Sequence, residues 1–279
     1  LSFALIKSSG IHPDVLSAAR LGLAALLFAP LLRRAPAGSA LPLSAIGAIQ
    51  FGLMYVLVMR SYAYLEGHEV ALLTVTTPIL VVLFDGVLSR RVAVRALVAA
   101  LVAVAGAAVL RWPDEGGFAS LAPRGLVLVG AANAAWALGQ VLYRRRALQQ
   151  DREAATGREA LGEFGWMYVG ALVVAGSWAA GHVGAADLRL DGAQIAKLLY
   201  LGLIPSGLAF FLWNRGALRV NAGTLAVMNN LKVPLAVVVA LSPPFQESFD
   251  APRLAGSTAL LAVALLIACW RPSPESAHV

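Results

Sequence analysis

Residues 55–84 read YVLVMRSYAYLEGHEVALLTVTTPILVVLF, and residues 208–240 read LAFFLWNRGALRVNAGTLAVMNNLKVPLAVVVA. Each is an aromatic-rich apolar run, a tight charged turn and a second apolar run with one central proline, Pro78 or Pro234. Runs of this length and apolarity suit helices that cross a bilayer, which takes about 20 residues each. The two stretches also resemble each other, so the chain reads as internally doubled. The match is imperfect: Ala63 and Pro78 are 15 positions apart, Ala217 and Pro234 are 17 apart.

Working outward from these stretches, apolar runs bounded by Arg, Pro, Gly or acidic clusters cover residues 15–32, 43–65, 68–89, 92–111, 124–146, 161–182, 194–218, 221–241 and 253–270. A shorter run over residues 1–9 cannot span alone, which leads us to expect further residues before Leu1 that complete it. The expected fold is therefore an all-α membrane protein of ten transmembrane helices. Its two five-helix repeats occupy residues 1–112 and 122–271. Five is odd, so the second repeat is expected to be inverted relative to the first, a common transporter architecture.

Composition agrees with this reading. The chain is 59% hydrophobic and only 13% charged, against about a quarter charged in soluble domains. Its net charge of +7 does not mark a nucleic-acid partner, because the basic residues sit in short gaps between apolar runs rather than along one stripe. Thirteen of them (Arg33, Arg34, Arg90, Arg91, Arg95, Arg144, Arg145, Arg146, Arg152, Arg158, Arg215, Arg219, Arg271) fall on one side of the spans, and six (Lys7, Arg111, Arg124, Arg189, Lys197, Arg253) on the other. That bias places both termini in the cytoplasm, and the membrane expected is the bacterial cytoplasmic one. The lone Cys269 and four scattered histidines offer no metal or cofactor site and no internal disulfide.

Several segments, PDVLSAARLGLAALLFAPLL (13–32), ALVAVAGAAVLRW (100–112), GLVLVGAANAAWALGQVLYRR (125–145) and LGLIPSGLAFFLWNRGALRV (201–220), together with the two proline-bearing runs, resemble the EamA-type drug/metabolite transporters. The likeness covers nearly the whole chain. It implies ten helices in two repeats and a central cavity lined by the first, third, fourth, sixth, eighth and ninth spans. Within that family the nearest functional likeness is to exporters of aromatic and other neutral amino acids, which implies such a substrate.

The residues offer their own candidates. Asn133, Trp136, Gln140 and Tyr143 recur at spacings of three, four and three, so they share one helix face. A polar-aromatic stripe in a membrane helix faces protein or a cavity rather than lipid. Cavity lining and an interhelical hydrogen-bond seam both fit. Ser206, Phe210, Trp213 and Asn214 repeat the theme, either as an aromatic wall for substrate or, for Trp213, as an interfacial anchor. Asn229, Asn230, Lys232 and Pro234 cluster mid-span; the proline frees the Asn230 carbonyl, and Lys232 is the leading candidate for a substrate carboxylate. Tyr55, Tyr62, Thr74, Thr77 and Pro78 complete the candidate cavity. Thr77 can instead bond back to its own helix, and Tyr62 can instead anchor at an interface.

Arg20 and Arg60 lie one to two turns from a helix end and are read as snorkelling. Glu69 and Asp85 are read as the only acids within the spans, both near an end, which favours transport driven by the substrate's own gradient. No nucleophile–base pair or HExxH-like motif marks an enzyme. The function expected is thus a non-enzymatic carrier that exports aromatic or neutral amino acids and related small metabolites through a central cavity by alternating access. Its expected partners are a small substrate and the bilayer, with no nucleic acid. Anionic sugar phosphates or nucleotide sugars are the alternative cargo, and a membrane scaffold the alternative class. Small-residue faces at Gly106 and Ala107 and at Gly256 and Ala259 can pack within one molecule or between two.

Overall fold

The computed structural model describes residues 5–6, 9–91, 93–111, 122–150, 157–241 and 251–269, and all regular structure in them is helical. The helices are α1 (Pro13–Arg34, ending in a 3-10 turn), α2 (Ala40–Ser61), α3 (Glu69–Ser89), α4 (Val94–Arg111), α5 (Pro123–Gln149), α6 (Gly157–Ala180), α7 (Gly192–Ala217), α8 (Ala222–Leu241) and α9 (Ala251–Cys269). Each full-length run expected from the sequence holds one of them. Among the described residues seven helices are long and apolar enough to cross a membrane, and the apolar part of α4 is shorter, Val94–Val109. The protein is therefore an all-helical, multi-pass membrane protein. Ten helices and an inverted repeat go beyond what the described residues show, and most of the short run over residues 1–9 lies outside them.

Local chemistry sets the helix starts. Pro13 opens α1, where its missing N–H costs nothing, and His12 Nδ1 accepts from the Asp14 N–H at 3.3 Å. Asp191 and Gln194 cap α7 reciprocally, at 2.8 and 3.0 Å. The first turns of α3 and α8 use Glu66 with Glu69 and Asn221 with Thr224 in the same spirit.

Two turns depart from the α-helix. Residues Ala48–Leu53 of α2 and Gly202–Ala209 of α7 are π-helical. In α7 the cause is legible: Pro205 has no N–H to give the Leu201 carbonyl, and the Ser206 hydroxyl takes that carbonyl instead at 2.7 Å.

The chain forms two compact units. The first draws on Leu1–Thr74 and Asp114–Arg219. Its core packs α2 against α6 so closely that a Cβ on Gly47 would stand 1.9 Å from the Met167 carbonyl oxygen, and one on Gly170 would stand 1.8 Å from that of Ser44. Only glycine permits that backbone contact. Around it lie Phe28, Phe51, Phe164 and Tyr168, all buried. The second unit draws on Val75–Pro113 and Val220–Val279. There α4, α8 and α9 pack through Ala99, Ala103, Val227, Leu261 and Ala264. Gly106 sits where a Cβ would meet Leu260 at 2.9 Å, so within this unit small residues let the helix backbones approach.

Candidate functional site

The first unit holds a buried cation. Arg20 on α1 is 2% exposed. Its Nε donates to Ser206 Oγ at 3.0 Å, and its guanidinium carbon lies 4.8 Å from the centre of the Tyr55 ring. The Tyr55 hydroxyl is 2.7 Å from the same Ser206 Oγ. Counting protons fixes the direction of that bond. Ser206 has one hydroxyl proton, already given to the Leu201 carbonyl, so Tyr55 donates and Ser206 accepts from both Tyr55 and Arg20. The Ser206 backbone carbonyl in turn accepts from the Tyr168 hydroxyl. The serine is saturated, whereas Arg20 Nη1 is buried with no hydrogen-bond partner among the described residues.

The expectation that Arg20 snorkels is corrected by this geometry. A partner 186 positions away holds it inside, so its short distance from a helix end is no guide. Arg60 behaves nearer to expectation. It is half-exposed, pairs with Asp14 at 3.4 Å and lies 4.4 Å over the Trp178 ring, which itself stacks on His182. The reading of the acids also needs correction: Asp14 and Glu163 are 3% and 4% exposed, and Glu163 falls within α6. Asp14 is drawn inside by its partner Arg60, which a list of apolar runs does not register.

An aromatic group adjoins the arginine. Phe210 lies 6.2 Å from Tyr55 and 4.7 Å from Trp136, centre to centre, and stacks on Phe51 at 5.4 Å. Phe51 stacks on Tyr168 at 5.0 Å. Beyond Trp136 on α5, Gln140 is 1% exposed, and neither end of its amide has a partner among the described residues. Gln50 Nε2 donates to Asn214 Oδ1 at 3.0 Å, leaving Gln50 Oε1 unmet. Trp213 Nε1 and the Tyr62 hydroxyl are likewise buried without hydrogen-bond partners among the described residues.

Of the residues expected to line a cavity, Tyr55, Tyr62, Thr74, Asn133, Trp136, Gln140, Phe210 and Trp213 belong to this unit. Asn133 is a structural tie, donating to the Leu73 carbonyl at 2.9 Å, and Thr74 bonds back to Ala71 at 2.8 Å. Thr77, Pro78, Asn230, Lys232 and Pro234 belong to the second unit. There Asn230 is buried and donates to the Val75 carbonyl at 3.1 Å. The Lys232 and Pro234 side chains lie outside the described residues.

Sequence reasoning missed Arg20, Phe51 and Tyr168. The signal for Arg20 was present, since a charge inside a membrane span is costly and marks function by default. A cavity of about 460 Å³ opens beside Ser39 and Arg146 in the first unit, and one of about 250 Å³ beside Arg90 and Leu97 in the second. Arg20, Trp136 and Gln140 line neither.

Chemically, the cluster pairs a desolvated guanidinium with an unspent donor, suited to a carboxylate, with an aromatic wall and a free carboxamide. Comparison with known proteins bears on what it serves. A Pseudomonas aeruginosa protein named a probable biotin transporter is 39% identical over 257 residues, covering 89% of this chain and 85% of that protein. The biotin transporter of Salmonella typhimurium is 36% identical over 93% of this chain and 84% of its own length. That of Escherichia coli is 36% identical over 87% and 79%. No family model matches the chain. A solved crystal structure shares the fold, with a TM-score of 0.73 over 95% of this chain and 91% of that one at 20% identity.

These relatives overturn the expected kinship with EamA-type amino-acid exporters, and with it amino-acid export as the function. The physical reason is that apolar spans carrying an aromatic stripe and a cation accommodate many small acids with an apolar body. The sequence pattern does not single out one of them.

Proposed function

The chain belongs to the family of the biotin transporters, and on that premise we propose that it carries biotin across the membrane. The single observation that carries this reading to the site is Arg20, a buried guanidinium held by Tyr55 and Ser206 with Nη1 still unmet. Biotin is a monocarboxylate at neutral pH, with an apolar alkyl chain and a sulfur ring that end in a polar cyclic urea. A charge-assisted bond from Arg20 to the carboxylate gives about 1.5–3 kcal/mol. The alkyl chain and sulfur ring lie against Trp136 and Phe210. Because the carboxylate neutralises a cation that has no ion pair among the described residues and lies in a low dielectric, the binding energy at this point exceeds that of an exposed pair.

We infer further that the site belongs to a carrier of ten spans in two inverted repeats, residues 1–112 and 122–271, with both termini in the cytoplasm of a bacterial cell. The lysine and arginine bias supports this orientation. Thr77, Pro78, Asn230, Lys232 and Pro234 contribute to the path that biotin takes in the same carrier. Radiolabelled biotin entry into proteoliposomes tests the central claim: saturable entry, reduced by unlabelled biotin and unaffected by excess neutral amino acids, is the expected result. Entry no faster than in protein-free liposomes would end it.

A further inference from the structure

Gln140 is a fully buried polar side chain of the first unit that makes no hydrogen bond among the described residues. It is 1% exposed, and Nε2 and Oε1 are both unmet there. Its position is built rather than incidental. The preceding residue, Gly139, presses α5 onto the π turn of α2, where a Cβ would stand 2.3 Å from Gln50 Cβ. Four positions earlier on the same face is Trp136, already in contact with Phe210. A buried amide that meets nothing is destabilising, and evolution's simplest remedy would be a hydrophobic residue of the same shape.

We propose that Gln140 is the specificity-determining residue for the cyclic urea of biotin. A carboxamide sets one N–H donor beside one carbonyl acceptor. A cyclic urea sets a carbonyl acceptor beside an N–H donor. The two close as a pair of parallel hydrogen bonds, Nε2 donating to the urea carbonyl and the urea N–H donating to Oε1. Tyr55, Phe210 and Trp136 form a continuous run of aromatic contacts from Arg20 to the helix face of Gln140, and on this proposal the two residues read the two polar ends of one substrate. This assignment rests on the biotin reading above and adds to it which group recognises the ring.

The test compares Gln140→Met with the unaltered protein in proteoliposomes, using labelled biotin with two competitors. Desthiobiotin keeps the cyclic urea and lacks the sulfur ring; lipoate keeps a carboxylate and a sulfur ring and lacks the urea. In the unaltered protein desthiobiotin competes and lipoate competes poorly. In Gln140→Met biotin and desthiobiotin affinity falls by about 30-fold or more, while lipoate is little changed. The melting temperature of the substrate-free variant in detergent rises, because an unmet buried amide has been replaced by an apolar side chain of similar volume. Unchanged preference for biotin over lipoate in the variant overturns the proposal. So does a lower melting temperature with loss of all ligands, which would make Gln140 structural. Failure of the unaltered protein to exchange biotin overturns the parent reading as well, and is recognised by its independence of residue 140.

Discussion

The Tyr55 hydroxyl donates to Ser206 Oγ over 2.7 Å, although the two residues are 151 positions apart. The same serine oxygen accepts from Arg20 and donates to Leu201, so one hydroxyl ties α1, α2 and α7 together. Ser206→Ala removes the acceptor for two buried donors at once. Biotin transport should fall on the order of tenfold to a hundredfold, with a loss of stability of about 1–3 kcal/mol. Uptake and thermal melting at their unaltered values would show that the junction does not position Arg20.

The charge and the shape of Arg20 separate experimentally. Arg20→Gln should weaken biotin binding by about a hundredfold while changing the affinity for the uncharged biotin amide by less than about threefold. Arg20→Lys keeps the charge and loses the planar group over Tyr55, and should fall between these limits. Equal losses for acid and amide in titration calorimetry would argue against a carboxylate at this position.

Asp14 and Arg60 form an unequal pair: the side chain of Asp14 is 4% exposed, that of Arg60 38%. Removing the more exposed partner strands a buried carboxylate, while removing the buried one leaves an arginine that can reach water. Arg60→Met should therefore lower the melting temperature more than Asp14→Asn does, in contrast to a ranking by burial alone. The reverse order in a thermal shift measurement would contradict this account.

Gly47→Ala places a methyl group 1.9 Å from the Met167 carbonyl oxygen. The backbones of α2 and α6 must then separate, at a cost of about 1–3 kcal/mol or more. Reduced folded yield and a lower melting temperature are expected, with the ranking of biotin over lipoate preserved in the protein that does fold. A variant as stable as the parent would mean that the helix contact is looser than described.

Much of this architecture was legible in the sequence. The apolar runs place the described helices to within a few residues, because hydropathy depends on composition alone. The stripe of Asn133, Trp136 and Gln140 was also legible, since a spacing of three and four defines a helix face. The charge of Arg20 inside a span was legible too, but its being held inside was not, because its holder is Ser206 and no local pattern links residues so distant in sequence. The π turns escaped for a related reason: a single period of 3.6 is assumed throughout a run, and only Pro205 hinted otherwise. The cargo was beyond reach because a cation beside aromatic rings suits any small acid with an apolar body.

The glycine contact between α2 and α6 also has a mechanical meaning. With no side chains between Gly47 and Met167 or between Gly170 and Ser44, nothing is available there to slide or change rotamer. The two helices bear load as a single beam. Gly139 and Gly162 bring α5 against α2 and α6 against the end of α1 in the same way. The glycines of α7 instead meet the side chains of Leu23 and Leu27, which can shift. Motion that admits a solute to the first unit is therefore expected of α7. The wide turn at Gly202–Ala209 is the natural joint, set immediately beside the serine that grips the arginine.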